Sequence, residues 1–244
     1  MRIIVLLRPP HKDPFSEEVL HGLSPGDRAA LHTALHLADS CSSVVALTVG
    51  PPADEVGLGL ALQAGAHRAI RIWAPSIDSQ DPLSISSALA AGIKQLGFDV
   101  VLAGHRSSDW GTGITGPAVA HFLGVPHVTS VTRVQREESS LLLEHLREDE
   151  IISLALKLPA LITLSAAPAG AADPPQTIPA IEKWNLETLR SCAQGNSTQR
   201  LDVPLKKKLR KVAFEVNALR ENSTPPSRDL SALLLQLRNS GLLR

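Results

Sequence analysis

Two hydrophobic periods alternate from the start of the chain to about Val125, and this alternation narrows the fold more than any other feature. Ile3 to Leu7 is a continuous apolar run, as expected of a strand covered on both faces. Ser24-Pro25-Gly26-Asp27 then opens a helix: Ser24 is the N-cap, Pro25 takes the first helical position, and Asp27 closes a capping-box-like pair. Ala30, Leu31, Ala34, Leu35 and Ala38 follow on one helical face. The unit recurs with a strand at Val44 to Val49, a helix from about Ala53 to Ala64 and a stop at Gly65. A third strand, Ala69 to Trp73, precedes a helix started by Asp81-Pro82 and ended by Gly97. A fourth, Asp99 to Ala103, leads into a Gly-rich loop, with Pro117 where a helix would begin and Gly124 where it would stop.

Four strand-then-helix units in succession predict an α/β fold with a doubly wound, mainly parallel sheet of Rossmann-like type. The pattern then changes. Val128 to Val134, Leu141 to Arg147 and Ile151 to Leu158 read as short added antiparallel strands, and Leu161 to Leu164 as a further central strand. Ala166 to Pro179 is Ala/Pro-rich and reads as an extended loop. Beyond it little builds a core until an amphipathic helix from about Ser227 to Asn239. The expected organisation is therefore an α/β domain over residues 1–190 and a C-terminal arm over 191–244 that finds its apolar partner elsewhere.

Charge and aromatic content exclude some functions. With 24 Lys+Arg against 24 Asp+Glu, the chain lacks the basic excess of a nucleic-acid binder. Four Phe, three Trp and no Tyr leave few rings on which bases or a flavin ring could stack. Cys41 and Cys192 are isolated, which fits a reducing, cytoplasmic setting. The apolar start is too short for a signal-peptide core, and the uncharged stretch Leu158 to Ala172 is too short and broken to span a bilayer. The sequons at Asn196 and Asn222 therefore read as chance matches.

The segment richest in chemistry runs from Gly104 to Pro117, between the end of a central strand and a helix N-terminus. Open α/β sheets bind ligands at such points. Glycines 104, 111, 113 and 116 let the backbone approach a phosphate, held by free N–H groups and the helix dipole. Asp109, Thr112 and Thr115 add side-chain hydrogen bonds. The spacing fits neither the Walker loop nor GxGxxG. Position and glycine density favour a ligand over the alternative, a capped loop that binds nothing. Ser24-Pro25 and Gly50-Pro51 would line the same crevice.

Catalytic constellations are not evident. His32 and His36 lie one helical turn apart but lack a third ligand, no Ser sits in a GxSxG elbow, and Cys41 has no activating neighbour. The basic run Lys206 to Lys211 reads as solvated tail. The chain is expected not to be an enzyme in its own right.

Several segments together resemble the β subunit of electron transfer flavoproteins. They are Val45 to Pro52, Ala61 to Ile72, Asp99 to Gly104 with the Asp109…Thr112-Gly113…Gly116-Pro117 loop, and Leu158 to Thr163. Ser24-Pro25-Gly26-Asp27 is similar to the family's Asn-Pro-x-Asp helix start, and Asp229 to Leu243 to its C-terminal helix. The resemblance runs in order over nearly the whole chain. It implies an adenine-nucleotide-binding fold and an obligate heterodimer with an α subunit that holds most of the FAD near the interface. It also implies a structural AMP in this subunit, an electron-carrying role, and a loop that docks a partner dehydrogenase. With so few rings here, a second FAD is expected less than AMP. The alternative is a free-standing adenine-nucleotide-binding stress or signalling protein of the same fold, for which the C-terminal arm would have little use.

Carried over by the resemblance, nucleotide contacts fall at Leu6, Ser24, Val49, Gly50, Gly104, Asp109, Thr112, Gly113, Ile114, Thr115 and Gly116. The recognition loop maps onto Ala166 to Glu182, with Ile178 and Pro179 at the anchoring Leu-Pro position. The chain also departs from the family. Gly113-Ile114 replaces Gln or Asn-Gln, Gly111 replaces an acidic residue, and Glu182 to Glu187 replaces a run of lysines. The Arg-Tyr before the recognition loop is missing, and the segment between Pro10 and Ser24 is short. These departures predict a divergent member whose dehydrogenase is not the usual acyl-CoA enzyme.

Overall fold

The computed structural model describes residues 1–8, 23–78, 81–106, 111–137, 140–147, 150–165 and 177–193. Asp109, residues 166–176 of the expected recognition loop and the expected C-terminal arm from 194 onward lie outside the described residues.

Nine strands form one sheet. They are β1 (Arg2–Leu6), β2 (Ser43–Val49), β3 (Arg68–Ile72), β4 (Val100–Gly104), β5 (His127–Arg136), β6 (Ser140–Arg147), β7 (Glu150–Lys157), β8 (Ala160–Leu164) and β9 (Glu182–Trp184). Their spatial order is β7-β6-β5-β8-β4-β1-β2-β3-β9. From β5 to β9 along that order every pairing is parallel, and only the β5-β6-β7 end is antiparallel. This is the mixed, mainly parallel α/β architecture that the alternating periods predict.

The continuous apolar runs are explained by the two faces they serve. Ile3 and Val5 of β1 join one core with Ala30, Leu31 and Ala34 of α1 (Pro25–Leu37) and with Leu58 and Leu62 of α2 (Glu55–Gln63). Their neighbours Ile4 and Leu6 join the opposite core with Ile85, Leu89 and Ile93 of α3 (Pro82–Leu96) and with Val119 and Ala120 of α4 (Thr115–Leu123). Successive strand side chains alternate between faces, so a strand with helices on both sides must be apolar throughout.

Helix starts follow local chemistry. Ser24 caps α1, its hydroxyl accepting from the Asp27 N–H at 3.0 Å. Asp81 caps α3 by accepting from Leu83 and Ser84 N–H at 3.1 and 3.0 Å. Two helix starts differ from the sequence reading. The segment after Pro51 begins as a short 3-10 turn, Pro52–Asp54, before α2 starts at Glu55. Helix α4 starts at Thr115, two residues before Pro117. Proline is tolerated there because first-turn N–H groups have no intrahelical acceptor.

The sequence reading does not anticipate β9 and the short α5 (Leu186–Ala193). β9 pairs with β3, and a bidentate ion pair from Arg68 Nε and Nη2 to Glu182, at 2.7 and 2.9 Å, bridges the two strands. Leu189 of α5 is buried in the α3 core. At the opposite edge, Ile151 and Leu154 of β7 are exposed. Among the described residues, no helix is long and apolar enough to cross a membrane.

Candidate functional site

Strand order sets the position of the cleft. β1 lies between β2 and β4, so the chain winds outward from β1 in one direction through β2 and β3 and returns to β4 on its other side. Helices α1 and α4, which follow β1 and β4, pack on opposite faces of the sheet and leave a crevice at the strands' carboxyl ends.

The walls of this cleft come from four directions. Leu6, Leu7 and Arg8 end β1, and Val49 ends β2. Ala103 and Gly104 close β4, and His105 and Arg106 follow them. Ile85 and Leu89 of α3 supply an apolar side. Asp27 of α1, with Gly113, Thr115 and Gly116 at the start of α4, completes the rim. The cleft encloses about 580 Å³ of free space, part of it open to solvent.

Glycines hold the loop in place by close packing against the protein. A Cβ at Gly104 would lie 3.0 Å from the Gly26 carbonyl carbon and 3.2 Å from the Asp27 nitrogen, so the end of β4 abuts the first turn of α1. Gly113 has φ of 66°, and a Cβ there would meet the His105 carbonyl oxygen at 2.9 Å. Only a residue without a side chain fits that conformation and that contact together. Among the described residues, no side chain caps the start of helix α4 behind this turn. Its first N–H groups are thus available to an acceptor, and the helix dipole favours an anion there.

The cleft's charges are mixed. Arg8 and Arg106 supply cations. His105 is held below its usual range by burial and by the neighbouring Arg106, which favours the neutral imidazole. Asp27 is buried, and desolvation pushes its carboxyl up to about 7, against hydrogen bonds from Ser24 and the Arg8 backbone that favour the charged form. The Arg8 N–H donates to Asp27 Oδ2 at 3.3 Å.

Of the residues expected from sequence, Leu6, Val49, Gly104, Gly113, Thr115 and Gly116 meet in this cleft. Ser24, Gly50, Thr112 and Ile114 are not among its lining residues. Ser24 is buried as the α1 cap, whereas Thr112 and Ile114 are exposed. Gly50 is turned into a tight bend: a Cβ there would run into the Asp54 carboxylate, and its carbonyl accepts from Arg71 Nη1 at 3.3 Å. Ile178 and Pro179 are exposed immediately before β9, outside the cleft.

Sequence reasoning missed Arg8, His105 and Arg106, and assigned Asp27 only a capping role. Their signal was positional: each lies just past a strand end or in the first turn of a helix that faces the switch point.

Comparisons with known proteins identify the family to which this fold belongs. The family model described as the electron transfer flavoprotein domain matches residues 15–189. The electron transfer flavoprotein subunit beta of Clostridium acetobutylicum is 35% identical over 142 residues, 58% of this chain and 55% of that protein. The acryloyl-CoA reductase electron transfer subunit gamma of Anaerotignum propionicum is 30% identical over 145 residues, covering 58% and 54% of the two chains. The protein FixA of Azorhizobium caulinodans is 32% identical over 154 residues, covering 59% and 55%. The chain thus spans a little over half the length of these relatives. The matched span of the family model contains the whole switch-point cleft except the residues of β1 and its end: the chain belongs to the electron transfer flavoprotein domain family, as a member of β-subunit type.

Proposed function

We propose that this chain is the β subunit of a heterodimeric electron transfer flavoprotein. In this reading it carries no chemistry alone: it holds a structural AMP in the switch-point cleft and completes an FAD site at the interface with an α-type subunit. FAD bound at that interface would supply the redox chemistry for electron transfer between a partner dehydrogenase and an acceptor. The chain's own tasks are binding, positioning and docking, in a cytoplasmic setting.

The observation that carries the proposal is the start of α4, uncapped among the described residues, at a cleft with apolar walls and mixed charges between the ends of β1 and β4. An adenylate fits that chemistry. Its phosphate would be held by N–H groups around Gly113, Thr115 and Gly116, with Arg8 and Arg106 offsetting the charge. The side chains of Leu6, Val49, Ile85 and Leu89 offer apolar surface to the base. Asp109 and the recognition residues Ile178 and Pro179 are assigned from the family resemblance, the latter two as the contact for the dehydrogenase.

The nucleotide part of the proposal is tested by releasing small molecules from the purified full-length protein and identifying them by mass. AMP in about one copy per chain is the expected result. A preparation that contains no adenylate and takes none up on dialysis contradicts the proposed site.

A further inference from the structure

Asp27 occupies an unusual place for a carboxyl group. It is 5% exposed, in the first turn of α1, and lines the same cleft as the uncapped start of α4. The first turn of α1 abuts the end of β4 at one wall of the cleft: a Cβ on Gly104 would lie 3.0 Å from the Gly26 carbonyl carbon and 3.2 Å from the Asp27 nitrogen. The polar contacts of Asp27 include the Arg8 N–H at 3.3 Å and the Ser24 cap, which with the Arg8 charge favour the ionised form but do not outweigh the desolvation.

The charged and titratable groups lining the cleft with Asp27 are Arg8 from the end of β1 and His105 and Arg106 beyond β4. The α3 and α4 walls contribute Ile85, Leu89, Thr115 and Gly116, none of which titrates. Asp27 is therefore the one acid among the described lining residues.

We propose that Asp27 makes nucleotide uptake by this chain proton-coupled, so that the cleft takes up a phosphorylated nucleotide together with a proton on the Asp27 carboxyl and releases both together. The inference rests on the adenylate-site reading above. Two effects give it the same sign. A ligand filling the cleft removes remaining water from the carboxyl, and its phosphate adds a second negative charge to the same enclosed space; each favours the protonated acid. By linkage, affinity must then fall as pH rises and the free protein's Asp27 loses its proton. Burial already holds that acid near neutrality, pushed up to about 7, so the effect falls in the physiological range.

The test uses the full-length chain co-purified with its α-type subunit and freed of endogenous nucleotide. AMP binding is measured by titration calorimetry between pH 7.5 and 9, where the AMP phosphate is already fully ionised because its second pKa is about 6. Affinity should fall by up to about tenfold per pH unit, and heats in two buffers of different ionisation enthalpy should reveal net proton uptake. D27N, whose amide imitates the neutral acid, should show a flat affinity across that range and no Asp27-dependent uptake. If D27N does not fold, the two-buffer measurement on the unaltered protein decides alone. AMP binding with no proton uptake, or with the same pH slope in D27N, overturns the inference but leaves the adenylate site standing. A complex that binds AMP at no pH overturns both.

Discussion

Gly104 and Gly26 meet backbone to backbone: a side-chain carbon on Gly104 would sit 3.0 Å from the Gly26 carbonyl carbon. This contact joins the end of β4 to the first turn of α1, and it fixes the distance between two walls of the cleft. Neither partner is the end of a flexible side chain, so an added methyl is accommodated only by a shift of backbone. Gly104→Ala should therefore cost about 1–3 kcal/mol in denaturant unfolding and weaken nucleotide retention through the displaced α1 turn. Unchanged stability would show that the two elements are not in fixed contact.

Gly113 carries a second, separate constraint. Its φ of 66° and its approach to the His105 carbonyl both exclude a β-branched residue. Gly113→Val is expected to lower stability by about 1–2 kcal/mol and to empty the proposed adenylate site, read as nucleotide content by mass. A variant with full nucleotide content would place the site elsewhere.

Arg71 ties β3 to the turn after β2. Its Nε donates to Glu55 Oε1 at 2.7 Å, its Nη1 donates to the Gly50 carbonyl, and its side chain is only 9% exposed. Arg71→Met keeps the apolar stem but leaves Glu55 with Lys183 at 3.8 Å as its remaining ion pair. The loss should be about 2 kcal/mol, less than for a fully buried pair because Glu55 keeps a quarter of its side chain exposed. By contrast, the Arg68–Glu182 pair is exposed on both sides, and Glu182→Gln should cost at most about 1 kcal/mol in the same assay.

Asp27 also sets a pH dependence of stability. In the folded chain its carboxyl is pushed up to about 7 from the ordinary 3.8, so between those values the folded protein holds a proton that the unfolded chain releases. Stability must then fall as pH rises through that window. D27N removes this contribution, and its stability should be flatter between pH 5 and 8 than the unaltered protein's, by on the order of a few kcal/mol at most. Parallel pH profiles by thermal or urea unfolding would contradict the burial argument.

What could be read from sequence follows the physics of each signal. Ile3 to Leu7 was legible as a doubly covered strand, and Val44 to Val49 as a strand, because their apolar residues pack against one helix layer or the other. Ser24 and Asp81 were legible as caps because capping is local. β9 was not, since three residues carry no period and its place depends on Arg68, 114 positions away from Glu182. Arg8 and Arg106 were not recognised as neighbours because strand adjacency, not sequence, brings β1 and β4 together. Ser24 and Gly50 were near the mark in position. Ser24 is spent on the α1 cap and Gly50 on a bend held by Arg71.

The most direct test is co-expression of the full-length chain with an α-type electron transfer flavoprotein subunit, followed by measurement of flavin and chain stoichiometry in the purified product. The account predicts a yellow one-to-one heterodimer that contains FAD. A colourless, monodisperse homo-oligomer that does not associate with the α-type subunit would contradict it, and would favour a free-standing adenine-nucleotide-binding protein of the same fold.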